Sequence, residues 1–407
     1  MSEFKDPFSE SSVGIVCGSL MIQGGAEEIV RALAVDFNAP VYTLSYDPQR
    51  FDKQFNADMG HRIRKVAKDN EDEDLDDEVN TDQFFAQSPI PAVLIEDLEK
   101  VDVEKFSTDA LVATDMHGTI LAEMTGLPYV TYMHHAGKMW NDYFWEMFDN
   151  TEGLREKFSF LRERWGNARR MKRATKKAEH IVTNSERTKH HTNETWNVSR
   201  GRMNVVYPAI DTGLFTPGEP ERDVLELDSY FLAPQRLEAY KNVHVLVEAA
   251  KMAEEHLVIV GTGTLEDYAR REAQYSPYVH TLGYVEEETL RDLYRGAKAT
   301  LQGTMREDFG MVPVESMACG TPCLLPASGG FLESVGEGFE ADPKPPIETE
   351  RGKLFDPKGF DHYQLAGDLQ KFDSEEYDPD AISEHAQQFA RERFIEQMTK
   401  IVERHLL

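Results

Sequence analysis

Cysteine is almost missing: 407 residues carry only Cys17, Cys319 and Cys323. They form no Cys-x-x-Cys pair and no set with histidine at zinc-site spacing, so neither a disulfide framework nor a cysteine-built zinc site is expected. Sparse thiols of odd number suit a reducing cytoplasm. Long apolar runs are missing too. No stretch approaches the roughly 18 consecutive apolar residues of a spanning helix. Met1–Ser12, with four charged residues and no apolar run, does not read as a secretion signal. The glycosylation sequons at Asn193 and Asn197 are then chance matches. Positive charge is the third scarcity. Lys and Arg number 44 against 73 Asp and Glu, a net charge of −29. Such a surface repels phosphate backbones and excludes general nucleic-acid binding.

The same acidity resembles the coat of proteins from salt-in halophiles, where molar salt shortens the Debye length to about 3 Å. An ordinary acidic enzyme is the alternative. Against these scarcities, 40% of the residues are hydrophobic and 10% aromatic, enough for real cores. The length suits two or three domains. Short apolar, β-branched runs alternate with helical-period segments, which predicts an α/β chain with parallel sheets. Candidate strands are Val13–Cys17, Val41–Leu44, Ala92–Ile95, Leu111–Thr114, Tyr129–Met133 and Ile181–Thr183. After Tyr207–Pro208 the pattern restarts with Tyr230–Ala233, Leu257–Val260, Val279–Leu282, Ala299–Leu301 and Pro322–Leu325. This gives two doubly wound units of five or six strands each, residues 1–208 and 209–381. A final helix over 382–407 is long enough to return to the first unit.

Two segments depart from the background charge. Asp69–Glu78 holds eight carboxylates in ten residues and reads as a solvated loop. Arg155–Lys177 is the opposite, with ten basic residues against two glutamates. Phe158, Leu161, Trp165 and Ala168 recur in it at helical spacing. That is the form of a basic amphipathic helix lying on an anionic membrane or beside a lipid phosphate, the plainer reading being a core-packed helix with a solvated basic face.

The stretch richest in chemistry is Thr300–Glu333. A strand ends near Gly303, a loop carries Glu307, and a helix begins around Val312–Pro313 with Glu315 in its first turn. Phe309-Gly310-Met311 would turn backbone N–H groups toward the helix's positive end. Amides there suit anionic oxygens, and a carboxylate suits a vicinal diol. The stretch resembles the signature of the retaining glycosyltransferases of family 4, which have the GT-B fold of two Rossmann-like domains. Other segments follow in that family's order: Gly24-Gly25-Ala26-Glu27, Tyr207–Asp211 with Phe215 and Pro217, Leu232–Arg236 with Lys241-Asn242, Leu257–Gly263, and Leu282–Val285.

The resemblance implies roles. Arg236 and Lys241 would clamp the diphosphate and stabilise its departure, Glu315 would hold the ribose, and Glu307 the transferred sugar. Phe309, Gly310 and Met311 would offer amides, Tyr284 and Val285 would flank the base, and Gly24, Gly25 and Gly261 would let the backbone approach the donor. Gly261-Thr262-Gly263 alone is half a dinucleotide fingerprint, which argues against NAD. Tyr132–Asn141 is similar to a segment of the O-antigen mannosyltransferase subgroup, in which His134 faces the sugar. It departs from that pattern at His135-Ala136, at Lys138 and in the place of Trp140. His117 and His135 are expected to be structural or to support the site from behind, a direct contact with the sugar being the alternative. The resemblance implies a hexosyltransferase with a nucleotide-sugar co-substrate, GDP-mannose first, and no cofactor or metal. Its acceptor would be a glycan or polyprenyl lipid at the cytoplasmic membrane face, met by Lys138, Arg169, Arg170, Lys172 and Arg173. A soluble acceptor, or a GT-B nucleotide-sugar epimerase, is the alternative.

Overall fold

The computed structural model describes residues 13–20, 24–51, 53–66, 101–137, 153–221, 224–339 and 344–407. The acidic run Asp69–Glu78, the candidate strand Ala92–Ile95, and Lys138 and Trp140 lie outside these residues. Two compact units divide the chain: residues 1–209 with 392–407, and residues 210–391.

The first unit is built on β1 (Val13–Val16), β3 (Val41–Thr43), β5 (Ile63–Lys65), β6 (Ala110–Ala113), β7 (Tyr129–Met133), β8 (His180–Thr183) and β9 (Met203–Val205). They pair in parallel in the order β5-β3-β1-β6-β7-β8-β9. A two-stranded ladder of β2 (Ser19–Leu20) and β4 (Ser45–Tyr46) extends the carboxyl ends of β1 and β3. β1, β3, β6, β7 and β8 are buried throughout, because helices cover both faces of the sheet. One face packs on the helices Gly25–Asp36 and Lys53–Met59 through Ile29, Leu33 and Phe55; the other packs on Met116–Thr125 and the end of Leu154–Lys177.

The second unit repeats the plan with β10 (Phe231–Pro234), β11 (Leu257–Val260), β12 (Val279–Gly283), β13 (Ala299–Leu301), β14 (Cys323–Pro326), β15 (Ile347–Thr349) and β16 (Gly352–Phe355). The order is β12-β11-β10-β13-β14-β16-β15, parallel except for the antiparallel edge strand β15. Among the described residues each sheet has seven strands, where five or six were expected. The additions are short edge pieces such as Ile63-Arg64-Lys65 and Met203-Asn204-Val205, half of whose side chains face water. In both sheets the strand order reverses beside the first strand, at β1/β6 and at β10/β13. Open α/β sheets hold ligands at that switch point, outside the carboxyl ends of the strands.

The expected single helix over 382–407 is two helices, Pro379–Ala386 and Arg391–His405. Ala390 between them is extended and forms a β-bridge with Ile210, the Arg391 N–H donating to the Ile210 carbonyl at 3.0 Å. This backbone pairing outcompetes helix continuation where no glycine or proline marks a break. Beyond it Phe394, Met398 and Val402, four residues apart, are buried in the first unit's core. Each contributes roughly 1.5–3 kcal/mol of burial.

Candidate functional site

β10 ends at Pro234, and the chain turns through Gln235, Arg236 and a single turn of 3-10 helix, Ala239–Lys241. Asn242 then takes the left-handed conformation at φ +55°, and its side-chain amide donates to the Gly303 carbonyl at 2.7 Å. That bond ties the loop after β10 to the loop after β13. Gly261 follows β11 at φ +124°, and a Cβ there would lie 2.1 Å from the Gln235 carbonyl oxygen. Its glycine is thus required by two loops pressed together.

Tied this way, Lys241 meets Glu307 across 66 positions of sequence. Lys241 Nζ donates to Glu307 Oε2 at 2.9 Å, with the side chains 14% and 20% exposed. Glu307 Oε1 accepts from the Asp308 N–H at 3.3 Å, and the Glu307 carbonyl accepts from the Gly330 N–H at 2.7 Å. Gly330 has no room for a side chain, since a Cβ would stand 2.3 Å from the Phe309 Cα. Gly310, at φ +94°, caps the helix Met311–Ala318. Phe309 is an anchor, buried and edge-on to Phe389 at 5.3 Å. Its backbone alone is therefore placed at the loop.

The helix begins at Met311 rather than Val312–Pro313, so Glu315 stands one turn inside it rather than in the first turn. Glu315 Oε2 accepts from the Tyr294 hydroxyl at 2.8 Å. Burial, and next the Glu315 charge, push the Tyr294 phenol well above its ordinary pKa, so it donates at any physiological pH. Arg236 is exposed and donates to the Tyr240 hydroxyl at 3.1 Å. Tyr284 is exposed and Val285 half-buried, just past the end of β12.

In the first unit, the switch point is pinned by Asp115. Its Oδ2 accepts from the Gly18 N–H at 2.8 Å and its Oδ1 from the Gly118 N–H at 2.5 Å. One carboxylate thus caps the helix Met116–Thr125 and holds the turn after β1. Gly24 caps Gly25–Asp36 in extended geometry. His134 follows β7, half-buried, its carbonyl accepting from Asn184 Nδ2 at 2.9 Å and its ring edge-on to Tyr132. His117 packs against Gly18, where a Cβ would lie 2.5 Å from the His117 Cβ. His135 Nδ1 accepts from the Gly137 N–H at 3.2 Å.

Two family models match the chain: glycosyl transferases group 1 over residues 220–389, and glycosyltransferase family 4 over residues 104–214. The chain is built of two glycosyltransferase domains. The D-inositol 3-phosphate glycosyltransferase of Nocardiopsis dassonvillei is 27% identical over 244 residues, 54% of this chain and 54% of that protein. The chain thus matches about half the length of this curated relative. Sucrose-phosphate synthase from Thermosynechococcus elongatus shares the fold at TM-score 0.70 and 17% identity, over 97% of this chain and 99% of that one. Anabaena HepE in complex with UDP-glucose does so at TM-score 0.66 and 16% identity, over 97% and 100%. The fold is GT-B.

Within the group 1 domain, Lys241 and Glu307 are brought into contact, and the loops bearing Arg236, Gly261 and Gly303 interlock. Among the described residues no three His, Cys, Asp or Glu side chains gather as a metal site requires. The basic segment of the family 4 side is a helix, Leu154–Lys177. Its C-terminal half packs through Met171, Ala174 and Ala178, while Leu154, Phe158 and Trp165 are 89%, 71% and 69% exposed. Arg169 and Lys172 are exposed and Arg170 half-buried. Arg173 instead reaches Glu123 at 2.7 Å, and Lys177 the same carboxylate at 2.5 Å. Burial works to raise the Glu123 carboxyl, yet these two cations bring it below its ordinary pKa. Arg173 thus helps anchor the helix to Met116–Thr125. Sequence reasoning gave Tyr294 no role and Asp115 only a place at the carboxyl end of a strand, where such sheets bind ligands. Asp115 was findable as an N-cap one position past a strand; nothing in sequence marked Tyr294.

Proposed function

We propose that the chain is a retaining hexosyltransferase that uses a nucleotide sugar without a metal. The observation that carries this reading is the Lys241–Glu307 pair at the β10/β13 switch point, with the Gly310 helix start and Glu315 beside it. Lys241 and Arg236 supply the positive charge that a departing nucleoside diphosphate needs as its negative charge grows. Glu307 accepts hydrogen bonds from the sugar, and Glu315 from the ribose. His134 contributes a hydrogen bond to the sugar rather than acting as nucleophile. The acceptor hydroxyl attacks on the face the diphosphate leaves, its proton passing to a β-phosphate oxygen, so configuration is kept. GDP-mannose is the first donor to test, and UDP-glucose, which the Anabaena protein binds, the second. Thermal shift with nucleotide sugars in high salt, suited to the acidic coat, tests base and sugar together. No stabilisation by any of them would overturn the reading.

For the acceptor we favour a lipid-linked glycan at the cytoplasmic face of the membrane. Leu154, Phe158 and Trp165 recur at helical spacing, exposed, among cations on a helix of an acidic chain. Such a face suits the boundary of an anionic bilayer. Vesicles containing anionic lipid should retain the protein in moderate salt. Charge reversal at Arg169, Arg170 and Lys172 should release it; unchanged retention would refute the idea. No described helix is long and apolar enough to cross a membrane. The second reading, a soluble phosphorylated acceptor, is favoured by two similar proteins whose names carry D-inositol 3-phosphate and sucrose phosphate.

A further inference from the structure

The hydroxyl of Tyr294 is the one part of that side chain which packing does not explain. Its ring is fully buried and edge-on to Phe215 at 5.9 Å. Its backbone is fixed as well, the Tyr294 carbonyl accepting from Thr321 Oγ1 at 2.7 Å. The next residue, Arg295, donates to the Thr216 carbonyl and to Thr216 Oγ1, both at 2.8 Å. The helix Glu287–Gly296 is thereby clamped on the segment entering the second unit. From this rigid base a phenol is aimed at a carboxylate across 21 positions of sequence, Tyr294 hydroxyl to Glu315 Oε2 at 2.8 Å.

A glutamate side chain has three rotatable bonds, and a half-buried one at a helix surface can adopt several rotamers. A diol is gripped only if both carboxylate oxygens face it at once. Fixing one oxygen sets the plane and direction of the other before the ligand arrives, which lowers the ordering cost of binding. A carboxylate oxygen carries more than one lone pair, so a phenol can direct the group without displacing the ligand.

We propose that Tyr294 is a positioning residue: its hydroxyl holds the Glu315 carboxylate in the orientation that receives the vicinal diol of the donor's ribose, and so sets the preference for ribonucleotides. This rests on the reading that Glu315 holds the ribose, and the test separates the two.

Calorimetry would compare GDP and UDP with their 2′,3′-dideoxy counterparts on the full-length wild type, Tyr294→Phe and Glu315→Gln. Tyr294→Phe removes one oxygen and keeps the ring. The expected result is about tenfold weaker binding of the ribonucleotide, the scale of a hydrogen bond to a charged group. Binding of the dideoxy form should stay unchanged, and in turnover the loss should fall on the donor KM rather than on kcat. If Tyr294→Phe leaves the ribo-to-dideoxy ratio at the wild-type value while Glu315→Gln collapses it, the positioning role is overturned. Equal weakening of both nucleotides would overturn it too, since that is general loosening. If Glu315→Gln itself leaves the ratio intact, or neither diphosphate binds the wild type, the underlying ribose reading fails instead.

Discussion

Separating the charges of Lys241 and Glu307 tests whether the site is pre-strained by its own ion pair or merely filled by it. At 2.9 Å, and with an effective dielectric of about 20, the raw attraction is about 6 kcal/mol. Desolvation offsets most of it, because the two side chains keep only 14% and 20% exposure. Removing one partner takes from the other, mostly buried charge the ion that it faces. Lys241→Met or Glu307→Gln should each cost about 1–3 kcal/mol of stability, below the 3–5 kcal/mol of a fully buried pair. Lys241→Met with Glu307→Gln should return to within about 1 kcal/mol of wild type, giving a coupling energy of about 3 kcal/mol. Urea melts in low salt measure this, guanidinium being itself a screening salt. The binding consequence runs in opposite directions. Glu307→Gln frees Lys241 from its carboxylate, so nucleoside diphosphate should bind more tightly while sugar transfer falls by roughly 10²–10³-fold. Lys241→Met should weaken diphosphate binding and lower transfer together. Strictly additive stability losses in the double variant, or weaker diphosphate binding by Glu307→Gln, would refute the reasoning.

Gly330→Ala should cost about 2–4 kcal/mol and abolish donor binding, because its Cβ would press on the Phe309 backbone and displace the N–H that holds the Glu307 carbonyl; an unchanged Tm would show that the loop yields. The rings of His180 and His405 stack at 4.1 Å, and burial first, then neighbouring positive charge, depresses both pKa values. The native state therefore resists protons that the unfolded chain accepts below about pH 6.5. Stability should be full above that pH and fall as pH drops toward the depressed native values, and His405→Gln should flatten the fall in a pH series of urea melts. Burial pushes the Cys319 and Cys323 thiols up to about 12 and also raises Cys17. Iodoacetamide at pH 8 should leave all three unmodified and label all three in urea, read by intact mass.

The parts of this molecule that could be read from its sequence are those decided by local pattern. Leu257–Val260 and Tyr129–Met133 are uninterrupted apolar runs because both faces of a parallel sheet are covered, and the strands fall there. Ile63-Arg64-Lys65 carries no such pattern, since an edge strand needs only its backbone to pair. The break at Ala390 is invisible for a related reason: it is set by Ile210, 180 positions away. The resemblance singled out Glu307 and Lys241 separately, but that they touch depends on Asn242 bonding Gly303. For Phe309 the expectation concerned only its backbone, and burial of the ring in the core was not read from the sequence.

Charge supplies the last step. With 73 carboxylates for 44 cations, a lysine or arginine of the second unit commonly bridges two acids: Lys251 to Glu248 and Glu272, Lys353 to Glu348 and Asp368, Arg291 to Glu221 and Asp292. Between residues 154 and 202 the relation inverts. Glu123 serves Arg173 and Lys177, and Glu186 serves Lys189 and Arg200. Carboxylates are the scarce partner there, in a chain that has them in excess as a whole. Fold stability does not call for such an excess, because exposed pairs are worth only about 0–1 kcal/mol and acids would solvate the helix equally well. The anionic surface or acceptor proposed above would call for it. In high salt only short-range contact would survive screening, so on that proposal Leu154, Phe158 and Trp165 would matter as much as the charges around them. Vesicle binding that persists in salt for the wild type and is lost in Phe158→Ser with Trp165→Ser would place the apolar stripe, rather than the cations alone, at the surface it meets.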